Sequence, residues 1–211
     1  MAKRLFDIVS SGIGLLCLAP VFVVMAIWIK LDSRGPVFYR QTRVGRYGRD
    51  FRIFKFRSMR VGSDKGRQIT VGERDPRITR SGYFIRRYKI DELPQLLNIL
   101  KGDMSIVGPR PERKVIADEY CRDIPEFAYR LKVRGGLTGY AQIYGKYNTS
   151  AYDKLRLDLM YIENYSLLLD IKLMILTVRI LFSKESTEGI DKAEENQKRA
   201  DALLNELDQE N

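Results

Sequence analysis

The sequence predicts a mainly helical α+β fold with an N-terminal membrane segment. Three observations support this prediction: an uncharged apolar run of 22 residues from Ile8 to Ile29, one pair of β-rich runs joined by a short turn, and amphipathic helical patterns over most of the remaining chain. The chain of 211 residues is long enough for one substantial domain with a packed core.

The apolar run from Ile8 to Ile29 can span a bilayer, which takes about 20 apolar residues. A cleaved signal peptide is disfavoured because no small-residue cleavage site follows. Pro20 predicts a kink, and basic residues at both ends would draw both ends to the cytoplasmic side of a membrane. Proline is also tolerated in spanning helices, so these features alone leave a re-entrant and a spanning helix open.

The elements after Gly35-Pro36 can be placed in order. Runs 37–43 and 50–57 predict a β-hairpin, and the polar residues 58–80 predict a loop. Further patterns predict helices and turns: a helix from Tyr83, a second one over 91–100, a rigid turn at 108–111, an amphipathic helix over 112–132, a loop at 135–139, and a long, broken helical region over 152–182.

The last part of that region, Leu167 to Phe182, is strongly apolar but carries three charged side chains. It is too short and too charged to span a membrane. Two interpretations remain open for it, an amphipathic helix lying in the membrane interface and an ordinary buried core helix.

Composition and charge limit the chemistry and the partners. The chain has no histidine, which excludes a His-based triad and a His-ligated zinc site. Cys17 lies in the apolar run, so we expect no disulfide with Cys121 and a reducing, cytosolic environment. The net charge of +10 favours nucleic acid, anionic lipid or a phosphorylated substrate. Residues 184–211 hold 4 basic and 9 acidic residues, and form a separate acidic tail that is predicted to be helical or disordered.

An acidic pair, Asp91-Glu92, precedes a predicted helix that has Pro94 in its first turn. One interpretation is a capped helix with an acidic start. The other makes Asp91 a carboxylate nucleophile that the helix dipole and nearby cations keep ionised. Two adjacent carboxylates repel each other unless a cation lies nearby, and Mg²⁺ suits a site that also takes a diphosphate. Basic residues on both sides in sequence could bind phosphate: Arg80, Arg86, Arg87, Lys89, Arg110 and Arg113.

Six motifs in order carry a resemblance to a known family. They are Lys30-Leu-Asp-Ser-Arg-Gly-Pro-Val-Phe-Tyr-Arg-Gln, Phe54-Lys55-Phe56-Arg57-Ser58-Met59, Asp75-Pro76-Arg77-Ile78-Thr79-Arg80, Asp91-Glu92-Leu93-Pro94-Gln95-Leu96, the run from Lys101 to Pro111, and Gly136-Leu137-Thr138-Gly139. In this order they resemble the bacterial sugar transferases, the monotopic phosphoglycosyl transferases, from about Lys3 to Ser183. The chain is similar to the small members that consist of the catalytic domain alone.

The resemblance implies a re-entrant helix–break–helix anchor over 1–34, a catalytic domain over 35–183 with a small β-hairpin and interfacial amphipathic helices, and the acidic tail over 184–211. It implies a bacterial inner-membrane enzyme whose body faces the cytoplasm. Its donor would be a UDP-sugar, its acceptor a polyprenyl phosphate such as undecaprenyl phosphate, and its cofactor Mg²⁺, with Mn²⁺ as a substitute. The reaction would be the first membrane step in the assembly of a glycoconjugate. The identity of the sugar and the formation of a homodimer stay open.

The resemblance also assigns roles to residues. Asp91 would attack the sugar-proximal phosphate and release UMP, and Glu92 would assist with the metal or the proton, so that both are candidate metal ligands. The remaining matched positions are phosphate-binding or supporting: Arg86, Arg110, Lys55 and Arg57 for phosphate, and Asp158, Gly136, Thr138 and Gly139 for support. The sequence departs from the family pattern at Ala19-Pro20, where serine often precedes the proline, and at Gly135-Gly136, where Pro-Gly is common.

Two other classes of protein fit parts of the sequence. A nucleic-acid-binding module would suit the positive charge and the interleaved aromatic residues, but the uncharged run from Ile8 to Ile29 argues against it. A non-enzymatic membrane scaffold would lack release of UMP from UDP-sugars, which distinguishes it from the enzyme.

Overall fold

The computed structural model describes residues 2–63, 75–145 and 149–181. Within these ranges the protein is mostly helical with two small two-stranded sheets, which confirms the predicted α+β class. The prediction for the acidic tail 184–211 and the middle of the predicted loop 58–80 lie outside the described residues.

A single long helix, α1 (Ala2–Asp32), contains the whole apolar run. It continues through Pro20, so the predicted helix–break–helix form is not confirmed, although proline removes one helical hydrogen bond there. By length and composition α1 could cross a membrane. Many of its large apolar side chains are exposed: Leu5, Ile8, Val9, Ile13, Leu16, Val23, Val24, Ile27, Trp28 and Leu31.

Both ends of α1 contact the body of the protein. Near its start, the Asp7 carboxylate accepts hydrogen bonds from Ser105 Oγ and the backbone N–H of Ile106, at 2.9 and 3.0 Å. Near its end, Asp32 accepts from the Ser81 hydroxyl and backbone N–H, both at 2.8 Å. These buried or partly buried bonds are satisfied only when α1 lies against the body at both ends.

The predicted hairpin is confirmed. Strands β1 (Phe38–Val44) and β2 (Asp50–Phe56) pair antiparallel in a register that places Phe38 opposite Phe56 and Val44 opposite Asp50. A 3₁₀ turn at Arg46–Gly48 joins them. Phe56 is buried beneath the second half of α1, with its ring centroid 5.1 Å from that of Phe22, so the hairpin and the apolar helix share one hydrophobic cluster.

The predicted helix from Tyr83 begins earlier, as α2 (Arg80–Arg87), because the Thr79 hydroxyl caps it by accepting from Gly82 N. Next comes a 3₁₀ turn at Ile90–Glu92 and then α3 (Gln95–Lys101). The expectation that Asp91 caps a helix is wrong. Pro94 is the residue preceding α3, and Asp91 lies in the separate 3₁₀ turn.

A second sheet joins β3 (Met104–Val107) to β4 (Gly135–Thr138) in parallel. Residues 135–138 were expected to be loop, and that expectation is wrong. A glycine-rich strand has weak β propensity, and here its pairing with a strand some thirty positions earlier overrides that local preference. Between the two strands, the predicted helix over 112–132 divides into α4 (Lys114–Asp123) and a 3₁₀ segment at Pro125–Lys132.

The C-terminal helices are α5 (Tyr140–Tyr144), α6 (Ala151–Glu163) and α7 (Leu167–Leu181), so the predicted break in this region is confirmed. For helix α7 the structure supports the core interpretation in part, and the interfacial interpretation stays a prediction. Leu173 is buried in the main core, whereas one face exposes apolar side chains: Leu168, Ile171, Ile175 and Val178. The main core is built around Ile99, Met104, Val107 and Tyr161.

Candidate active site

An acid–base cluster forms where the 3₁₀ turn at Ile90–Glu92 faces β2 and the turn that follows β3. The Glu92 carboxylate receives both terminal nitrogens of Arg110, with Nη1 at 3.0 Å from Oε2 and Nη2 bonded to Oε1. Lys55 Nζ lies 2.7 Å from the same Oε1. Glu92 therefore binds two cations at once, in a fork geometry that guanidinium and carboxylate favour.

Asp91, in contrast to Glu92, forms no ion pair with a described residue. It is partly buried, and among the described residues its carboxylate accepts no hydrogen bond. Lys55, Arg86 and Arg110 lie near enough to attract its negative charge. The turn begins after Lys89, whose backbone adopts a left-handed conformation at φ 56°, an unfavourable one for a residue with a side chain.

The two acids have opposite pKa shifts. Burial raises the pKa of Asp91 to about 6, and the neighbouring Glu92 charge adds to the rise, while Lys55, Arg86 and Arg110 oppose it. Burial also acts on Glu92, but the attraction of Arg110 and Lys55 outweighs it and holds the Glu92 pKa well below its usual range. Loss of solvation is therefore a larger effect on the Asp91 pKa than the attraction of the cations, and it still leaves the carboxylate mostly ionised at neutral pH.

The other predicted phosphate ligands separate into two groups. Arg86 ends α2 close to Asp91, is partly exposed, and has no ion pair with any described residue. It is placed to receive an anion. Arg57 is buried and donates to the carbonyls of Ile29, Ser33 and Arg34 at the end of α1, at 3.3, 2.6 and 2.8 Å. This geometry favours capping of the anchor helix over phosphate binding for Arg57.

Three successive carbonyls of the turn that carries Arg110 accept hydrogen bonds. Pro109 O accepts from Gly136 N at 2.9 Å, Arg110 O from Arg130 Nη2 at 3.0 Å, and Pro111 O from Arg43 Nη1 at 3.0 Å. With its backbone held in this way, the Arg110 side chain can meet Glu92 without losing much conformational freedom. The opposite charge of Glu92 raises the pKa of Arg110 above its ordinary value.

Arg130 and Asp158 form the buried support of that turn. Arg130 Nε lies 2.6 Å from Asp158 Oδ2, and the two residues are 5% and 1% exposed. Asp158 was predicted as a supporting residue, and the structure places it behind Arg110 rather than beside Asp91. Arg130 and Arg43 were missed. Nothing in their local sequence distinguishes them from surface arginines; only the Pro-flanked turn at Arg110, whose carbonyls need donors, could have indicated them.

The glycines at the family-like loop allow close backbone packing behind the same turn. A Cβ on Gly136 would lie 2.1 Å from Gly108 N, and one on Gly139 would lie 2.3 Å from Gly108 O. Thr138 O accepts from Gly108 N at 2.8 Å, and the Thr138 hydroxyl lies 2.6 Å from that of Thr177. Gly136, Thr138 and Gly139 therefore position the Arg110 turn from behind, and any side chain at Gly136 would displace it.

The described residues contain no group of three or more acidic, Cys or His side chains that could hold a metal ion. Both Glu92 oxygens are bonded to cations, whereas the Asp91 carboxylate accepts no hydrogen bond from a described residue. A single carboxylate suits Mg²⁺, because this ion is commonly bound by one or two carboxylates together with substrate phosphates. The residues present therefore fit Mg²⁺ through Asp91 better than through Glu92.

The fold and the site define a small helical domain with an apolar anchor and an acid–base cluster suited to phosphate compounds. The family to which the chain belongs is the bacterial sugar transferase family, whose model matches residues 1–184. This match confirms the family inferred from the six motifs.

Curated relatives support the same assignment. The chain is 44% identical over 184 residues to a UDP-N-acetylgalactosamine-undecaprenyl-phosphate N-acetylgalactosaminephosphotransferase of Aeromonas hydrophila, covering 86% of this chain and 44% of the relative. It is 42% identical over 183 residues to a UDP-glucose:undecaprenyl-phosphate glucose-1-phosphate transferase of Escherichia coli (strain K12), covering 84% and 39%. A relative of the latter name from Caulobacter vibrioides is 41% identical over 192 residues, covering 88% and 72%. The chain thus spans less than half the length of the first two relatives.

Proposed function

We propose that this protein transfers a sugar 1-phosphate from a UDP-sugar to a polyprenyl phosphate, by a covalent intermediate on Asp91 and with release of UMP. The observation that carries this proposal is the unequal pair at the site. Glu92 is bonded to Arg110 and Lys55, while the Asp91 carboxylate beside it has no hydrogen bond among the described residues. The names of the relatives, which specify undecaprenyl phosphate and UDP-sugars, support the two substrates.

The first step forms a bond from an Asp91 carboxylate oxygen to the sugar-proximal phosphorus and breaks the anhydride bond, whose oxygen leaves with UMP. In the second step an oxygen of the lipid phosphate attacks the same phosphorus and returns Asp91 to its carboxylate form. Lys55, Arg86 and Arg110 attract the charge that develops on the phosphate oxygens. A bound Mg²⁺ would neutralise the diphosphate and would be held by Asp91 and the substrate.

The ionisation of Asp91 suits a nucleophile. With a pKa of about 6, the carboxylate is mostly ionised at neutral pH, yet its partial burial leaves it less solvated than a surface carboxylate. Glu92 stays ionised throughout and keeps Arg110 and Lys55 close to the reacting centre.

We further propose that α1 stays within one leaflet, so that its start and the body lie on the cytoplasmic side. The contacts of Asp7 with Ser105 and of Asp32 with Ser81 support this placement, because a spanning helix would carry one of these ends across the bilayer. The exposed apolar stripes of α1 and α7 supply a surface for the membrane.

Incubation of the purified chain with labelled UDP-sugar and Mg²⁺, without lipid, tests the covalent step. We expect UMP release and a labelled phosphosugar on the peptide that contains Asp91. Asp91→Asn is expected to lose both, and Asp103→Asn, whose side chain lies at the α3–β3 turn, serves as the matched control that keeps both. UMP formation only after lipid is added, with an unlabelled protein, would indicate a ternary-complex mechanism instead.

Cysteine labelling tests the topology. In a background with Cys17→Ser and Cys121→Ser, a cysteine placed at Ala2 should resist a membrane-impermeant maleimide added to intact cells and react after lysis. Labelling at residue 2 in intact cells, with the body protected, would require a spanning helix.

A further inference from the structure

A second polar site lies at the start of α1, away from the acid–base cluster. It is an open cavity of about 300 Å³ between the first turns of α1, the second sheet and the end of α6. None of Lys55, Asp91, Glu92 and Arg110 lines it. The side chains with polar groups that do so are Lys3, Asp7, Arg46, Ser105, Arg134, Tyr161 and Tyr165.

Two arginines that line this cavity each use a single nitrogen for hydrogen bonds to described residues, and the Arg46 guanidinium also lies over the Tyr47 ring, with its Cζ 4.5 Å from the ring centroid. Arg46 donates its Nε to Lys132 O and Arg134 donates its Nε to Gly102 O, each at 3.0 Å. Within the described part of the chain, the terminal nitrogens of both arginines donate no hydrogen bond. Both arginines line the same cavity as Tyr165, and both are near enough to act electrostatically on its hydroxyl. Such a pair of forks is suited to a phosphate group.

One residue that lines the cavity, Asp7, has an acceptor that lacks a donor. Asp7 is 1% exposed, and its Oδ1 accepts from Ser105 Oγ and Ile106 N. Its Oδ2 is buried and has no hydrogen-bond partner. An unpaired carboxylate oxygen in this position is costly. A ligand that satisfies the whole cavity therefore needs a phosphate for the arginines and a hydrogen-bond donor for Asp7.

The position of the cavity indicates where such a ligand comes from. Lys3 in the first turn of α1 is paired with Asp170 in the first turn of α7, so both helices start at the cavity. Each helix then presents exposed apolar side chains, Leu5 and Ile8 on α1 and Leu168 and Ile171 on α7. A molecule with its polar end in the cavity can lay acyl chains along these surfaces.

We propose that this cavity binds the head group of a membrane phospholipid whose phosphodiester carries a hydrogen-bond donor. Arg46 and Arg134 hold the phosphate, and Asp7 Oδ2 accepts from the ammonium group of phosphatidylethanolamine or a hydroxyl of phosphatidylglycerol. Phosphatidylcholine has the same phosphate but no hydrogen-bond donor, and therefore serves as the negative control. The bound head group would hold the start of the anchor helix at the membrane surface.

Native mass spectrometry of the full chain in detergent, titrated with each of the three lipids, tests the proposal. We expect phosphatidylethanolamine and phosphatidylglycerol to bind about tenfold more tightly than phosphatidylcholine, as one added charge-assisted hydrogen bond implies. The double variant Arg46→Gln/Arg134→Gln should lose most affinity for all three lipids. Arg49→Gln, an exposed arginine of the same hairpin turn that does not line the cavity, should match the wild type.

Asp7→Asn separates the two halves of the site. The amide oxygen can keep the bonds from Ser105 and Ile106, but an N–H₂ donor replaces Oδ2, so the preference over phosphatidylcholine should disappear while phosphatidylcholine binding stays. Equal affinities for the three lipids in the wild type, or an unchanged double variant, would overturn the proposal. Binding of inorganic phosphate or glycerophosphoethanolamine as tightly as the lipid would assign the cavity to a soluble phosphate compound and overturn the membrane source.

Discussion

Replacing Asp91 by asparagine should abolish transfer and stabilise the fold at the same time. Burial raises the pKa of this carboxyl from 3.8 to about 6, which means that the folded protein holds the ionised form at a cost. A shift of roughly two units corresponds to about 3 kcal/mol. Since the side chain is partly exposed and solvent screens it, we expect Asp91→Asn to stabilise the protein by about 1–2 kcal/mol at pH 8.

The sign of this effect depends on pH in a defined way. Between pH 3.8 and 6 the folded state binds more protons at Asp91 than the unfolded state does, so the stability of the wild type falls as the pH rises through that window. The cost is complete above pH 6 and absent below about pH 4. The advantage of Asp91→Asn should therefore be greatest at pH 8 and nearly vanish at pH 4.

Thermal unfolding in detergent with EDTA measures this difference. An increase in Tm of about 2–6 °C at pH 8 is expected for a chain of this length. The matched control is Glu92→Gln, which should lower Tm, because it leaves Arg110 and Lys55 without the carboxylate that both contact. A lower Tm for Asp91→Asn at pH 8, or a difference that does not change with pH, would refute the burial argument.

Three other outcomes are expected from the same geometry. Arg130→Ala should lower the free energy of unfolding by about 3 kcal/mol or more, because it leaves the buried Asp158 charge without a partner; chemical denaturation measures this loss. Arg130→Lys should retain the fold but lower kcat more than it changes the KM for UDP-sugar, which steady-state kinetics measures. Gly136→Ala should sharply reduce both folded yield and activity, since its Cβ would meet Gly108 N at 2.1 Å. Gly12→Ala, in helix α1 with no atom within 4 Å of the added Cβ, should affect yield far less. Chelation by EDTA should abolish UMP release, and Mg²⁺ or Mn²⁺ should restore it; full activity in EDTA would contradict the metal requirement.

Local sequence patterns predict those secondary-structure elements that depend mainly on interactions between residues close in sequence. Two β-rich runs and a glycine turn predict the hairpin over β1 and β2, and its strands lie close to the predicted bounds. The break between α6 and α7 was likewise visible in the sequence. By contrast, the local sequence of β4 predicts a loop. The segment is a strand because it pairs in parallel with β3 and because the backbone must approach closely at Gly136.

The candidate site likewise contains residues that local sequence predicts and residues whose roles depend on the fold. Asp91, Glu92 and Arg110 were recognisable because adjacent acids and a proline-flanked arginine are unusual in themselves. The roles of Arg43 and Arg130 depend on two carbonyls that become neighbours only in the fold. The raised pKa of Asp91 also depends on burial in the tertiary structure, which local sequence features do not reveal.

The unequal treatment of the two acids follows from a constraint that any such pair must meet. Two adjacent carboxylates beside a diphosphate cannot both be ionised unless cations compensate them. Here the compensation goes mainly to Glu92, which binds Arg110 and Lys55 directly. Asp91 keeps a free carboxylate whose charge is only partly offset, and that combination raises its basicity. If both acids were equally paired, neither would have an oxygen free to attack phosphorus, and if neither were paired, the cations would not be held at the phosphate. A site with one carboxylate paired to cations and one unpaired carboxylate therefore suits the proposed reaction better than a site with two equivalent carboxylates.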